Sequence, residues 1–225
     1  MQFDLPTEIP VMTLPNLVFF PQALLPLHIF EPRYRAMLHD VLERNRVFAV
    51  AQLDRTPSAA TGAAEPPHLV ATAGIIRACQ KNDDGTADLL LQGLCRVEIV
   101  RILNEEPYRL IAIRPLVSVD GGTKAELRKL RNQTAQLFNL KRRLGLPLAE
   151  EMTRLVQNVV DPDAFADLSA FALCEDNGFK QRLLETLATK ERLQLIARQL
   201  RREIALTKLQ RRLQGGLPDD RIARN

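Results

Sequence analysis

The chain has 225 residues, 46% of them hydrophobic and 26% charged, which excludes a disordered tail and allows a large core without metals or disulfides. Its net charge of +4 is uneven: residues 1–119 carry 11 basic and 13 acidic side chains, and residues 120–225 carry 20 and 14. The cysteines Cys79, Cys95 and Cys174 form no CxxC pair, no basic leader opens the chain, and no apolar run nears the about 18 residues of a membrane span, so a cytoplasmic protein without disulfides is expected.

Eleven of the 14 prolines precede residue 116, so the first half should be short strands and turns while the second can be helical. Apolar segments at 11–14, 17–20 and 23–30, separated by Pro15, Pro21 and Pro26, read as bent edge strands or extended loops over a core. Pro32 suits a first helical position, and Tyr34, Met37, Leu38, Val41 and Leu42 then recur at helical spacing to about Asn45, a helix that should plug a barrel or sheet. Strands are expected at 46–53, 68–79, 87–92, 94–103 and 108–117. Asn82-Asp83-Asp84-Gly85 should turn a hairpin, and the small-residue stretch 54–67 reads as a mobile loop.

Asp120-Gly121-Gly122-Thr123 breaks this pattern and divides the chain into expected domains 1–119 and 120–225. Helices are predicted at 124–144, closed by Gly145, at 147–160, at 162–173 with Asp161 as cap, at 179–188 and at 189–213. The last is long, basic and amphipathic. Leu193, Ile196, Leu200 and Ile204, then Leu206, Leu209 and Leu213, form a stripe with a slight phase shift; Arg192, Arg198, Arg201, Arg202, Lys208, Arg211 and Arg212 fall mainly outside it. That line of leucines can pack within its own bundle or pair with a second copy in a homodimer. Residues 219–225 should fray.

Catalytic chemistry finds little support. Gly121-Gly122-Thr123-Lys124 lacks phosphate-loop spacing, and Ser58, Ser118 and Ser169 have no GxSxG or SxxK context. His28, His39 and His68 are too scattered for a metal site, and Pro32 stands where an HxxEH motif needs its second histidine. Cys79 and Cys95 read as core filling, and Ser118 or Cys174 as the nucleophiles an unrecognised hydrolase would use. Neither a cofactor nor a metal is expected.

The run Leu14-Pro15-Asn16-Leu17-Val18-Phe19-Phe20-Pro21, followed by Leu25-Pro26-Leu27-His28-Ile29-Phe30-Glu31-Pro32-Arg33-Tyr34-Arg35-Ala36-Met37, resembles the opening of the Lon protease N-terminal (substrate-binding) domain. The resemblance continues through Gly74-Ile75-Ile76, the strand-glycine-arginine segment at 89–97, Pro107-Tyr108, Asp167-Leu168 to Leu173, and Lys180-Gln181-Arg182-Leu183-Leu184-Glu185 leading to Glu191-Arg192-Leu193. It implies an α+β fold: a PUA-like pseudo-β-barrel carrying one helix, then a helical bundle ending in the long basic helix. Because the sequence stops at Asn225, it also implies a stand-alone, non-enzymatic relative without the ATPase and Ser–Lys protease modules. The expected function is recognition of polypeptide segments or of a protease-related partner. Packing accounts for HIFEPRYR if Glu31 caps the helix or pairs with Arg33 or Arg35 while Phe30 and Tyr34 lie under the barrel. In the functional reading Leu27, His28, Phe30, Arg33 and Tyr34 edge a groove for an extended peptide, with Phe19 and Phe20 as anchors or as core. The alternative is RNA binding through the PUA-like barrel and the basic helical half, which lacks interleaved aromatic residues.

Overall fold

In β1 (Glu8–Leu14) and β3 (Val47–Gln52) successive side chains enter two different cores: Ile9, Val11, Val47, Ala49 and Ala51 one, Met12, Phe48 and Val50 the other. Strands buried on both faces must be covered on both. The computed structural model, which describes residues 5–55, 65–146 and 150–214, shows the cover. β1 pairs in parallel with β3, and antiparallel pairings then run from β3 to β4 (Val70–Lys81), to β5 (Ala87–Asn104), to β6 (Leu110–Leu116) and back to β1. These five strands close a ring. Val97, Ile99, Ile111 and Ile113 fill it, and Ala49, Ala51, Ala71 and Ala73 keep the filling small enough for closure.

β5 is one strand of 18 residues where the sequence pattern suggests two. Its second half pairs with β6, while its first half extends beyond the ring and pairs with β2 (Leu24–Ile29). Of the two readings for 17–20, an edge strand or an extended loop over a core, the structure has the loop, laid across β4 and β5. Thr72 Oγ1 donates to the Phe19 carbonyl at 2.6 Å, Gln22 N–H to the Gly93 carbonyl at 3.0 Å and Gly93 N–H to Ala23 at 2.9 Å. A Cβ on Gly93 would stand 2.2 Å from the Phe20 carbonyl oxygen, so only glycine lets the two backbones cross.

The outer face of the ring is covered by helices. α1 (Pro32–Glu43) buries Tyr34, Met37, Leu38 and Val41 there, so it packs on the outside and does not plug the ring. α2 (Lys124–Arg143) starts in a Thr123/Glu126 capping box and stops before Gly145, at φ +65°. α3 (Glu150–Gln157) leads to α4 (Pro162–Leu173), where Asp161 Oδ2 accepts from Ala164 N–H at 3.0 Å. α5 (Asn177–Glu185) and the 26-residue α6 (Thr189–Gln214) complete the element order. Phe138, Phe165, Leu183, Leu193 and Leu200 share one apolar cluster with Phe19, Phe20 and Leu91.

α2 and α6 lie side by side in the same direction, with Lys190 against Glu126 (3.2 Å) and Lys141 against Glu203 (2.9 Å). The leucine line of α6 does not stay buried: Leu206, Leu209 and Leu213 are 51%, 53% and 64% exposed. Six residues separate Leu200 from Leu206, which turns the side chain about 120° around the helix. Arg192, read from sequence as outward, is 1% exposed. Part of the small-residue loop at 54–67 and the expected frayed end at 219–225 lie outside the described residues, as does Pro147.

Gly93→Ala should lower unfolding free energy by about 1–3 kcal/mol or more through overpacking against the Phe20 carbonyl. Gly178→Ala, whose Cβ would stand 3.3 Å from the Asp176 oxygen that caps α5, should change it far less. Paired urea denaturation curves check both.

Candidate functional site

Beyond the ring, β4, β5 and β2 form a three-stranded arm whose inner face is closed by α1. Because side chains alternate, burial of Leu25 and Ile29 turns Leu24, Pro26 and His28 outward, directly opposite Gln92, Leu90 and Asp88 on β5. Leu24, Pro26 and Leu90 form an apolar centre, and Leu24 is 52% exposed. At one end the exposed His28 ring donates to Asp88 Oδ1 at 2.8 Å and stacks on Phe30, centroids 6.1 Å apart. Hydrogen bonds from the Asn82 amide, then from His28, hold the Asp88 carboxyl below its ordinary range. β2 ends the strand order, so its second edge has no ladder partner among the described residues.

The structure separates the seven residues singled out in the sequence. Phe19 and Phe20 are 1% and 0% exposed and belong to the outer core, with Phe19 edge-on to Phe171. Tyr34 is buried and its hydroxyl donates to the Thr13 carbonyl at 3.3 Å; burial raises its pKa. Leu27 is partly buried against the same core. Phe30, expected under the barrel, is 60% exposed, because α1 begins at Pro32 and the chain leaves β2 on the outer side. Glu31 makes no side-chain cap; it accepts from Arg33 Nε at 2.9 Å. Arg33 also donates to Glu65 at 2.6 Å and lies 4.6 Å from the Tyr34 ring centre, and the Glu65 bond raises its pKa. His28, Phe30 and Arg33 are therefore surface groups, and Leu24, Pro26 and Leu90 join them. Period-two alternation outward from Leu25 and Ile29 was the signal for these three.

A second constellation lies behind this surface, between ring and helices. Arg96 on β5 is 2% exposed, and its guanidinium donates to both oxygens of the buried Asp167 on α4 at 2.6 and 2.7 Å and, through Nε, to the Leu184 carbonyl at 2.9 Å. Arg192 of α6 donates to the same carboxylate, to Asp163, and to Ser118 Oγ at 3.1 Å. Burial alone would raise the Asp163 pKa, but the Arg192 charge and the Thr189 hydroxyl outweigh it and hold the carboxyl below its ordinary 3.8. Nothing along the chain pairs Arg96 with Arg192, because their shared partner is set by helix packing.

Among the described residues, the serine, histidine and cysteine side chains singled out from the sequence sit in separate surroundings. Among the described residues no cluster of three His, Cys, Asp or Glu side chains could hold a metal. Ser118 accepts from Arg192, His68 lies between Asp54 (3.9 Å) and Glu185 (3.8 Å), and burial pushes the Cys174 thiol up to about 12, far from a reactive thiolate at neutral pH. No helix among the described residues is long and apolar enough to cross a membrane.

The family described as the ATP-dependent protease La (LON) substrate-binding domain matches residues 8–202. The chain belongs to this family. Among its relatives, the Lon protease of Dictyoglomus thermophilum is 27% identical over 222 residues, covering 96% of this chain and 27% of that protein. The Lon protease of Anaeromyxobacter dehalogenans is 28% identical over 217 residues, covering 93% and 25%. The chain thus spans about a quarter of the length of these curated relatives. Of solved structures, the N-terminal domain of Mycobacterium avium complex Lon protease matches at TM-score 0.65 and 19% identity, covering 86% of this chain and 97% of that one. A Lon N-terminal domain protein from Xanthomonas campestris matches at 0.61 and 19%, covering 84% and 96%. At this identity the likeness concerns the fold, and it is the mixed α+β fold described above. In this member of the Lon substrate-binding domain family, the Arg96–Asp167–Arg192 lock joins the strands to the helices and the β2 arm is left exposed.

Replacing Arg96 with Met, which strands Asp167 beside one remaining guanidinium, should cost about 3–5 kcal/mol of unfolding free energy. For Asp163 the sign follows from its depressed pKa. Its stabilisation is present above the unfolded carboxylate value near 3.8 and is lost as pH falls through the lower folded value, so the deficit of Asp163→Asn relative to the parent should shrink below that pH. Denaturation series at neutral and acid pH measure both.

Proposed function

We propose that this chain is a non-catalytic polypeptide-recognition module that captures extended segments on the outer face and free edge of the β2 arm. The observation that carries the reading is the exposure of Phe30, Leu24 and Pro26 around an edge strand in a domain whose family is described as substrate-binding. An extended guest gains backbone hydrogen bonds along β2 while alternate side chains meet the apolar centre. Pro26 supplies no N–H, so pairing along this edge is interrupted, which favours short, exchangeable segments over permanent strand addition. Arg33, steered by Glu31 and Glu65, sets a polar end to the surface.

In this reading the five-strand ring is a PUA-like barrel, residues 1–119 carry the recognition surface, and residues 120–225 brace it. The module delivers clients to a protease or competes with one, in a reducing cytoplasm where the free thiols of Cys79, Cys95 and Cys174 stay unpaired. The RNA alternative rests on the basic residues of α6, and a steep loss of RNA affinity with rising salt would favour it.

The test uses the full chain and a fluorescently labelled, permanently unfolded model protein. A Leu24→Ser, Phe30→Ser, Leu90→Ser variant should bind it about tenfold more weakly or worse. Its unfolding midpoint should move little, because Leu24 and Phe30 are exposed and Leu90 faces outward. Unchanged affinity in this variant overturns the reading.

A further inference from the structure

α6 has two apolar faces, and the packing covers one of them. Leu193, Ile196, Leu200 and Ile204 are buried where α6 meets α2 and α4. Leu195, Leu206, Leu209 and Leu213 form a second line on the far side of the helix, rotated by roughly 120–160° from the first. Two cavities open beside this line. One, of about 380 Å³, lies between α6 and the turn after α4, with Leu173, Ile196 and Leu200 in its wall and Leu206 at its rim. The other, of about 540 Å³, lies between α5 and α6, lined by Phe179 and Leu195 and ringed by Arg182, Arg198 and Arg202, with Glu185 and Glu191 as its acidic members. Phe179 and Gln199 border both cavities, which therefore adjoin along α6.

The far wall of the first cavity is acidic, with Glu175 and Asp176, so the charge that selects the occupant is the one α6 itself carries beside its exposed leucines. Between Arg198 and Leu213 there are six basic side chains and one acidic one. The acidic one, Glu203, is already paired with Lys141 at 2.9 Å and accepts from Gln199 at 3.0 Å, while Arg211 donates to the Leu144 carbonyl. Arg198, Arg201, Arg202, Lys208 and Arg212 have no hydrogen-bond or ion-pair partner among the described residues. Leucines at helical spacing complement an apolar helix face, not a phosphate backbone. A second copy of α6 would bring like charges together, which opposes pairing. An acidic helix satisfies both the leucines and the arginines.

We propose that this face of α6 docks an acidic amphipathic helix of a partner protein. The partner's apolar residues lie along Leu206, Leu209 and Leu213, clear of the acidic far wall of the first cavity, and its carboxylates pair with Arg198, Arg202 and Lys208. From Leu195 to Leu213 the line is about 27 Å long, the length of a partner helix of roughly 18 residues. This site is separate from the β2 arm.

The test uses the full chain and two synthetic helical peptides of about 20 residues with one leucine stripe, flanked in one by glutamates and in the other by lysines. Fluorescence anisotropy should show binding of the glutamate peptide that weakens with salt, and at least about tenfold weaker binding of the lysine peptide. A Leu206→Ser, Leu209→Ser variant and an Arg198→Glu, Arg202→Glu variant should each lose about tenfold or more for the glutamate peptide. The second should also gain affinity for the lysine peptide, a change that unfolding cannot produce. Equal binding of both peptides, or indifference to the leucine substitutions, overturns the proposal. Sedimentation showing a dimer that Leu206→Ser, Leu209→Ser abolishes would reassign the face to a second copy. Binding of an RNA hairpin that needs the arginines and ignores the leucines would reassign it to nucleic acid. Neither readout depends on Leu24, Phe30 or Leu90, so failure of the β2 reading leaves this one standing, and the reverse.

Discussion

The Asp167 carboxylate holds two guanidinium groups that share its Oδ1, Arg96 from the strands and Arg192 from the last helix. All three side chains are at most 2% exposed, so none has water to fall back on. Two buried cations facing one another would repel; the carboxylate between them, with Asp163 beside Arg192, balances the cluster. Arrangements of α4 and α6 that break these bonds leave a buried charge unpaired. Apolar packing tolerates sliding, and this cluster does not, which fixes how the helices sit on the ring.

That fixed placement explains why one apolar cluster can take members from nearly every part of the chain. Phe19 and Phe20 arrive on a loop, Leu91 on a strand, Met37 on α1, and Phe165, Leu183 and Leu193 on the helices. The ring keeps its own smaller core of Ile, Val and Ala. Short parallel contacts reinforce the joint, since Val119 N–H donates to the Leu187 carbonyl and Thr189 N–H returns a bond to Val119. With the helices committed to the ring, the β2 arm has α1 beneath it, and Leu24 and Phe30 on its other side stay exposed.

The two surfaces left for partners differ in chemistry as well as place. The β2 arm offers backbone hydrogen bonds, a small apolar centre and charges already paired within the arm, suited to many extended sequences. The outer face of α6 offers leucines at fixed helical intervals and cations without partners, suited to a folded, acidic helix. On the two proposals above, one surface is permissive and the other selective.

Much of this was legible along the chain. Prolines and turn residues located the strands, Asp161 and Gly145 marked helix ends, and HIFEPRYR with its neighbours carried the family. Positions whose meaning depends on distant neighbours were harder to read. Phe30 and Tyr34 are both aromatic and four residues apart, yet one is exposed and the other buried, because the direction in which β2 hands over to α1 decides it. Gly93 within an apolar run does not announce that another backbone crosses there. Arg192 lies among arginines of the same helix that face solvent, and only the position of Asp167 makes it a core residue. Local chemistry, set by which conformations and periods each residue permits, is written in the sequence; which side chains meet across 71 or 25 residues of intervening chain is decided by the packing that buries them.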